Sequence, residues 1–208
     1  MDEHFVITIA RQYGSGGRTV GQMLAKKLGY SFYDKEIIQM ASDASGIDVS
    51  LFGKVEEGSS VKKASLFNRT GLYKGELIPP GSKEFVTDEN IFNYQAKVIH
   101  DLAEKESFVV VGRCVNFVLK DRPNTLRVFV HAPWEFRVEH SMPKISGTRE
   151  DVEKFLLRDD KRKQDYYRRF AGGVWNDATN YDLCLNSGKL GFEKCVEAIE
   201  AQMEIMRR

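Results

Sequence analysis

Residues 5–19 have the sequence Phe5-Val6-Ile7-Thr8-Ile9-Ala10-Arg11-Gln12-Tyr13-Gly14-Ser15-Gly16-Gly17-Arg18-Thr19. The apolar run predicts a strand, and Val20, Met23, Leu24 and Leu28 follow the glycines at helical spacing. Glycines let backbone N–H groups turn inward, and a helix N-terminus favours an anion. The segment therefore predicts a phosphate-binding loop over Gly14–Thr19. A flexible Gly-Ser turn is the alternative, but such a turn is rarely placed between a strand and an amphipathic helix.

The loop departs from the P-loop pattern G-x-x-x-x-G-K-[ST]. Gly16 is followed by Gly17 and Arg18, so the lysine that normally bridges the β- and γ-phosphates is missing. We expect Arg11 and Arg18 to act as substitute cations, although a planar guanidinium differs in geometry from an ammonium group. Thr19 is the candidate Mg²⁺ ligand, and hydrogen bonding at the helix start is its alternative role.

Composition indicates a single globular domain over residues 1–208. The net charge of +1 argues against a nucleic-acid partner, and no apolar run approaches the ~18 residues of a membrane span. The three cysteines show no disulfide or metal spacing, and the N-terminus has no signal-peptide pattern. These features predict a cytoplasmic protein with no membrane partner. These features do not decide whether the protein forms a homo-oligomer.

Strands and helices alternate along the chain, which predicts a parallel sheet covered on both faces by helices. A flexible insertion with one helix is expected over about 45–86, a stretch rich in Gly, Ser, Lys and Pro. The other predicted elements are strands at 5–10, 30–34, 108–111, 126–130 and 181–186, and helices at 17–28, 35–44, 87–105, 133–140, 148–170 and 192–206.

Two charged residues follow predicted strands, where open α/β sheets bind ligands. Arg113 comes directly after Val109-Val110-Val111-Gly112 and is suited to holding a phosphate with both arms of its guanidinium. A surface salt bridge is its alternative role. Asp34 ends the second strand and is the candidate acceptor-side carboxylate, unless it caps the helix that follows.

The helix after Thr148 is dense in charge of both signs. Counting by helical turns puts Arg158, Arg162 and Arg169 near one face. Such a face could close over a phosphoryl group as arginine fingers do. A solvated helix with alternating charges explains the same pattern equally well.

Together these residues resemble the cytidylate kinase-like family, a branch of the P-loop nucleoside monophosphate kinases, over nearly the whole chain. The resemblance rests on the segments 7–17, 32–36, 110–114, 158–162 with Tyr166-Tyr167, and 180–187. It implies a P-loop NTPase-type three-layer α/β/α fold with about five parallel strands, a helical NMP-binding insertion and a LID over about 148–175. It also implies transfer of the ATP γ-phosphoryl group to a nucleoside monophosphate with Mg²⁺.

By this resemblance the glycine loop holds the ATP phosphates, Arg113 meets the monophosphate, and Arg158 and Arg162 act from the LID. The chain departs from true cytidylate kinases at two places. Arg11 and Gly17 replace the first glycine and the lysine of the P-loop. Arg162 and Asp165 reverse the charges of the Asp and Arg that contact cytidine monophosphate.

The sequence thus predicts a kinase with Arg11, Arg18, Arg158 and Arg162 as catalytic cations. Its acceptor is a nucleoside monophosphate or a related small molecule. The alternative is a module that binds nucleotide or phosphate without transferring it.

Overall fold

The structure is a computed structural model that describes residues 4–59 and 75–208. Within these residues the sheet has the strand order β2-β3-β1-β4-β5, and every neighbouring pair is parallel. The central strand β1 pairs Ile7 with Val109 on one side and with Leu126 on the other. The strands are β1 (Val6–Arg11), β2 (Ser31–Tyr33), β3 (Phe108–Val111), β4 (Thr125–His131) and β5 (Leu183–Asn186).

Helices connect the strands and cover both faces of the sheet. The longest begins with a capping box, in which Thr148 and Asp151 each accept a hydrogen bond from the other's backbone N–H. The helices are α1 (Gly17–Leu28), α2 (Glu36–Ser45), α3 (Val49–Glu56), α4 (Asp88–Ala103), α5 (Val115–Val118), α6 (Trp134–Ser141), α7 (Arg149–Ala171), α8 (Ser187–Leu190) and α9 (Phe192–Met206).

Apolar side chains of the central strands β1, β3 and β4 are divided between two cores. Ile7 and Ile9 of β1 pack with α1 and α9, whereas Val6 and Ala10 pack in the cluster that includes α2, α4 and α7. Because both faces are buried, the strands are almost entirely apolar, as is usual for parallel sheets.

This architecture confirms the predicted three-layer α/β/α class with five parallel strands. Most bounds differ from the predicted ones by one or two residues. The expected insertion over 45–86 begins with α3, and residues 60–74 of it lie outside the described residues.

Two neighbouring strands send the chain to opposite faces of the sheet. The helix α1 follows β1 into one core, and α5 follows β3 into the other. Such a switch point opens a crevice at the carboxyl ends of the strands, where α/β sheets bind ligands. Arg11 is the last residue of β1 and Arg113 comes just after β3, so the two arginines lie together at this crevice.

Candidate functional site

Two glycines of the loop after β1 leave no room for a side chain. Gly14 and Gly16 have φ angles of 79° and 76°, in the left-handed region that favours glycine. A Cβ on Gly14 would lie 2.5 Å from the carbonyl oxygen of Arg137, and a Cβ on Gly16 would overlap the ring of Phe192. The N-terminus of α1 has no side-chain cap and no acidic residue in its first turn. Its N–H groups are therefore available to an anion at the loop.

Ser15 holds the loop in shape from inside the protein. Its hydroxyl donates to the carbonyl oxygens of Gln12, at 2.8 Å, and Val130, at 3.0 Å. Its backbone N–H also donates to Gln12. The sequence predicts Ser15 among the phosphate-binding residues. The structure uses both of its donors inside the loop, so Ser15 shapes the site while its neighbours face the cavity.

A cavity of about 310 Å³ opens beside the loop and is called here the glycine-loop cavity. Gly14, Gly16, Gly17 and Thr19 line it. No carboxylate occurs among the described residues that line this cavity, so its charge suits a polyanion such as a nucleoside triphosphate. The lining residues include four cations, Arg11, Arg18, Lys144 and Lys163.

Arg11 fills space that two glycines leave open. A Cβ at Gly17 would lie 2.6 Å from the Cβ of Arg11, and a Cβ at Gly112 would overlap the Arg11 guanidinium. Burial lowers the pKa of Arg11, an effect that the nearby carboxylate of Asp34 partly offsets. The side chain therefore crosses the crevice between β1 and β3.

The carboxylate of Asp34 joins two arginines. Its Oδ2 accepts from Nε of Arg18 at 2.7 Å, and its Oδ1 accepts from Arg113 at 3.3 Å. Burial by itself raises the pKa of Asp34, but the hydrogen bond from Arg18 and the charges of Arg11 and Arg113 leave that pKa below its ordinary value. Asp34 does not cap α2, since Lys35 occupies the N-cap position. The capping alternative is therefore wrong.

Arg113 lies in a strained turn. Gly112, Arg113 and Cys114 have φ angles of 83°, 56° and 55°. The left-handed conformation costs a non-glycine residue about 1–2 kcal/mol, and such strain clusters at functional sites. The Arg113 side chain is only 3 % exposed and donates a second hydrogen bond to Glu56 at 3.3 Å. It is a buried arginine and not the surface arginine that the sequence left open.

A second, larger cavity of about 730 Å³ lies between α2, α3 and the crevice. It is called here the acceptor-side cavity. Asp34, Arg113 and Arg162 line it, together with Arg11, which also lines the glycine-loop cavity. A single residue, Arg11, thus borders both cavities.

Two cations reach the crevice from α7. Arg162 donates to Asp159 at 2.6 Å and to the carbonyl oxygen of Glu56 at 3.3 Å. The ammonium group of Lys163 lies 2.6 Å from the second carboxylate oxygen of Asp159 and donates to the carbonyl oxygen of Arg11 at 3.3 Å. Burial lowers the pKa of Lys163 to about 8. The charges of Lys163 and Arg162 outweigh the opposing effect of burial and lower the pKa of Asp159.

Lys163 is not among the site residues predicted from the sequence, although the sequence carries a signal for it. The buried stripe of α7 has members three or four positions apart, and two of its five members are charged. A lysine and an aspartate in an otherwise apolar stripe indicate a functional pair. The members are Leu156, Asp159, Lys163, Tyr166 and Phe170.

Arg158 and Arg169, which helical counting groups with Arg162, do not lie at the crevice. Arg158 is exposed, with its guanidinium 5.8 Å from the centre of the Phe155 ring. Arg169 pairs with Asp88 at 2.5 Å and with Glu89 at 3.0 Å, at the start of α4. Of the three arginines, the structure brings only Arg162 to the crevice.

The described residues contain no group of three or more His, Cys, Asp or Glu side chains that could hold a metal ion. Magnesium in kinases keeps several waters and takes most of its other ligands from substrate phosphates. The Thr19 residue, which lines the glycine-loop cavity, offers one hydroxyl oxygen there. This donor set fits Mg²⁺ that enters together with a nucleotide.

Solved structures share this fold. An uncharacterized protein from Eubacterium ventriosum ATCC 27560 is 22 % identical with a TM-score of 0.71, covering 97 % of this chain and 99 % of its own. A shikimate kinase from Bacteroides thetaiotaomicron is 14 % identical with a TM-score of 0.55, covering 96 % and 98 %. A sugar kinase from Janibacter sp. HTCC2649 is 13 % identical with a TM-score of 0.54, covering 97 % and 95 %. Identities this low show the fold alone.

Among curated proteins, none matches the chain. The described residues include no helix that is both long and apolar enough to cross a membrane. The sequence model of the cytidylate kinase-like family matches residues 6–189, which span the glycine loop, the Val-Gly-Arg-Cys segment and α7. The predicted resemblance is confirmed, and the chain belongs to the cytidylate kinase-like family.

Proposed function

We propose that this protein is an ATP-dependent kinase that transfers the γ-phosphoryl group of Mg·ATP to a nucleoside monophosphate or a related small acceptor. The observation that carries the proposal is a pair of cavities that share Arg11 in their lining. The first combines a glycine loop and a free helix N-terminus with four cations. The second holds Arg113 and Arg162, and Arg11 borders both.

In this mechanism the backbone N–H groups of Gly14 and of residues 16–19 bind the β- and γ-phosphates. The bond between the γ-phosphorus and the β–γ bridging oxygen breaks as a bond to an acceptor oxygen forms, and ADP leaves. Arg11 and Arg18 neutralise the charge that develops, and Arg162 does so from the acceptor side. Bound Mg²⁺, with Thr19 as its protein ligand, would supply further charge neutralisation between the phosphates.

Asp34 and Arg113 position the acceptor. Arg113 is held by Asp34 and Glu56, and its Nε is buried without a hydrogen-bond partner. An unpartnered buried donor costs about 1–3 kcal/mol, and an oxygen of an anionic acceptor would satisfy it. Because Arg113 is fixed by two carboxylates, it orients the acceptor without having to be ordered on binding.

The three cysteines are all free thiols in the structure, which is usual in a reducing compartment. We therefore assign the reaction to the cytoplasm.

A nucleotide-binding module without transfer is the second candidate, and the missing lysine at position 17 favours it. Release of ADP from Mg·ATP distinguishes the two. The purified protein is assayed with each nucleoside monophosphate, with shikimate and with simple sugars, and without acceptor. Acceptor-dependent ADP from one compound supports the kinase and identifies its acceptor class. Binding of ATP without turnover on any acceptor would favour the module.

The matched variants are Arg162→Ala and Lys161→Ala. Lys161 is the adjacent residue on α7 but points to solvent, where it pairs with Asp165. We expect Arg162→Ala to lower turnover and Lys161→Ala to leave it unchanged.

A further inference from the structure

Lys163 is a lysine inside the protein at the side of the glycine loop. Its side chain is 14 % exposed, and its ammonium group contacts Asp159 and the carbonyl oxygen of Arg11. The ammonium group also lies 5.7 Å from the centre of the Tyr13 ring and 5.8 Å from that of Trp175. Both β1 and the glycine loop therefore contribute to its position.

A structural role explains this placement poorly. Burying an ammonium group costs more than burying a methionine or leucine of similar size. Here the cost is increased by the positive charge of Arg11, which faces the lysine from β1, while Asp159 and Asp160 on its own helix reduce it. Asp159 already accepts a hydrogen bond from Arg162 at 2.6 Å, so it has a cationic partner without Lys163. A second cation at this place points to a ligand.

The ligand side of Lys163 is the glycine-loop cavity. Lys163 lines this cavity together with Gly14, Gly16 and Thr19. A P-loop normally places its cation at position 17 of this chain, but the Cβ of Arg11 occupies the space that such a side chain would need. The first residue of α1 has no room for the usual lysine, and Lys163 of α7 brings a cation to the same cavity.

We propose that Lys163 supplies the phosphate-bridging cation that the P-loop lacks, and that it contacts the β- and γ-phosphates of ATP from α7. This inference rests on the proposed function. It makes Lys163 a catalytic residue, because an ammonium group between these phosphates stabilises charge as the bond between them breaks. It also joins the glycine loop to the LID-type segment, since Lys163 belongs to α7.

The test compares Lys163→Met with Lys161→Met. Both remove an ammonium group from α7, but Lys161 is exposed. Each variant is checked by thermal unfolding, and ADP release and affinity for a non-hydrolysable ATP analogue are measured. We expect Lys163→Met to lower kcat by about 100-fold or more, with a smaller loss of affinity for the analogue. Lys161→Met should match the wild type in both. Wild-type kcat and wild-type affinity in Lys163→Met would overturn the proposal.

A rescue variant separates loss of the cation from loss of structure. In the Lys163→Met protein, Arg11→Gly and Gly17→Lys together restore the first glycine and the lysine of the P-loop pattern, while Arg18 still stands at its Ser/Thr position. They also remove the 2.6 Å approach between the two Cβ atoms. Recovery of part of the lost kcat would support the role of Lys163 as the substitute cation. The double variant Arg11→Gly, Gly17→Lys with Lys163 present is the control for the loss of Arg11. If Lys163→Met lowers kcat in this double variant as much as it does in the wild type, the result would count against the proposal.

The experiments distinguish failure of the proposed function from failure of the role proposed for Lys163. If the wild type releases no ADP with any acceptor, the kinase proposal fails, and affinity for ATP and for inorganic tripolyphosphate still tests Lys163. Weaker binding of both compounds by Lys163→Met, but not by Lys161→Met, would support the contact with phosphates. If Lys163→Met does not fold, the NMR resonances of Nζ and Cε of Lys163 in the wild type test the contact with phosphates instead. A shift on addition of ATP supports the contact, and an unchanged resonance at saturating ATP overturns it.

Discussion

Arg11 and Gly17 fit together only because position 17 has no side chain. A Cβ added there would lie 2.6 Å from the Cβ of Arg11, closer than two such atoms approach in proteins. Arg11 stands at the first glycine of the P-loop pattern and Gly17 at its lysine. These two departures from the pattern are therefore sterically coupled, since the Arg11 side chain leaves no room for a side chain at position 17.

This coupling predicts the result of a double-mutant cycle. We expect Gly17→Ala to lower the free energy of unfolding by about 1–3 kcal/mol, because the added Cβ would lie 2.6 Å from the Cβ of Arg11 and 3.2 Å from that of Val130. In an Arg11→Ala background the same substitution still meets a Cβ at position 11, so part of the cost should remain. In an Arg11→Gly background only the tight contact with Val130 remains, so the cost should be smallest there. Urea unfolding of the variants measures the coupling, and an equal cost in all backgrounds would contradict the steric explanation.

The bridge from Arg18 through Asp34 to Arg113 predicts an acid-sensitive contribution to stability. Since the pKa of Asp34 is lowered by folding, its contribution is complete above the ordinary value of 3.8 and is lost as the pH falls through the lower pKa of the folded state. At neutral pH we expect Asp34→Asn to lower the free energy of unfolding by about 1–3 kcal/mol, because Arg113 is buried. The difference from the wild type should shrink below about pH 4.

The control is Asp43→Asn on α2, whose carboxylate is exposed and accepts from Gln39. Urea unfolding at two pH values should show little change for this variant at either. A pH-independent cost of Asp34→Asn would mean that the shape of the side chain matters and its charge does not.

The fold was predictable because its signals are local. The short run Val109-Val110-Val111 has the composition of a strand buried on both faces, and the spacing of Thr148 and Asp151 predicts the capping box that begins α7. Parallel order then follows from alternation of strands and helices. Ligands bind at the carboxyl ends of such strands, so the positions of Asp34 and Arg113 after their strands made both residues predictable.

The remaining features of the site depend on packing between distant segments. Helical counting groups Arg158 with Arg162, but the face of α7 that turns inward is set by Leu156, Tyr166 and Phe170, which pack into the cores. That rotation leaves Arg158 exposed and brings Lys163 to the loop. Likewise, the steric link between Arg11 and Gly17 depends on atomic distances that a motif does not contain.

The rotation of α7 predicts an order of effects for its two candidate arginines. Arg162 lines the acceptor-side cavity and is held by Asp159, whereas Arg158 lies over the Phe155 ring. We expect Arg162→Ala to lower kcat more than Arg158→Ala does, at similar affinity for ATP. Steady-state kinetics with the acceptor from the ADP screen measure both. The reverse order would show that α7 turns or slides before transfer, bringing Arg158 to the phosphates.

The lowered pKa of Lys163 leads to a prediction about how the free energy of unfolding depends on pH. Its pKa is about 8 in the folded protein against an ordinary 10.5, so between these values the unfolded chain binds more protons than the folded chain. The contribution of Lys163 to the free energy of unfolding must then rise with pH across this window, by about 1–2 kcal/mol from pH 7 to about 9.5. Unfolding of the wild type and Lys163→Met at both pH values isolates this contribution, because Asp159, Asp160, Arg11 and Tyr13 are common to the two proteins. If the difference between the proteins stays constant, the ammonium group is not buried in solution. If the wild type instead becomes more stable relative to Lys163→Met as the pH rises, binding of ATP near pH 9 should be accompanied by uptake of protons. Phosphates beside Lys163 would favour its charged form.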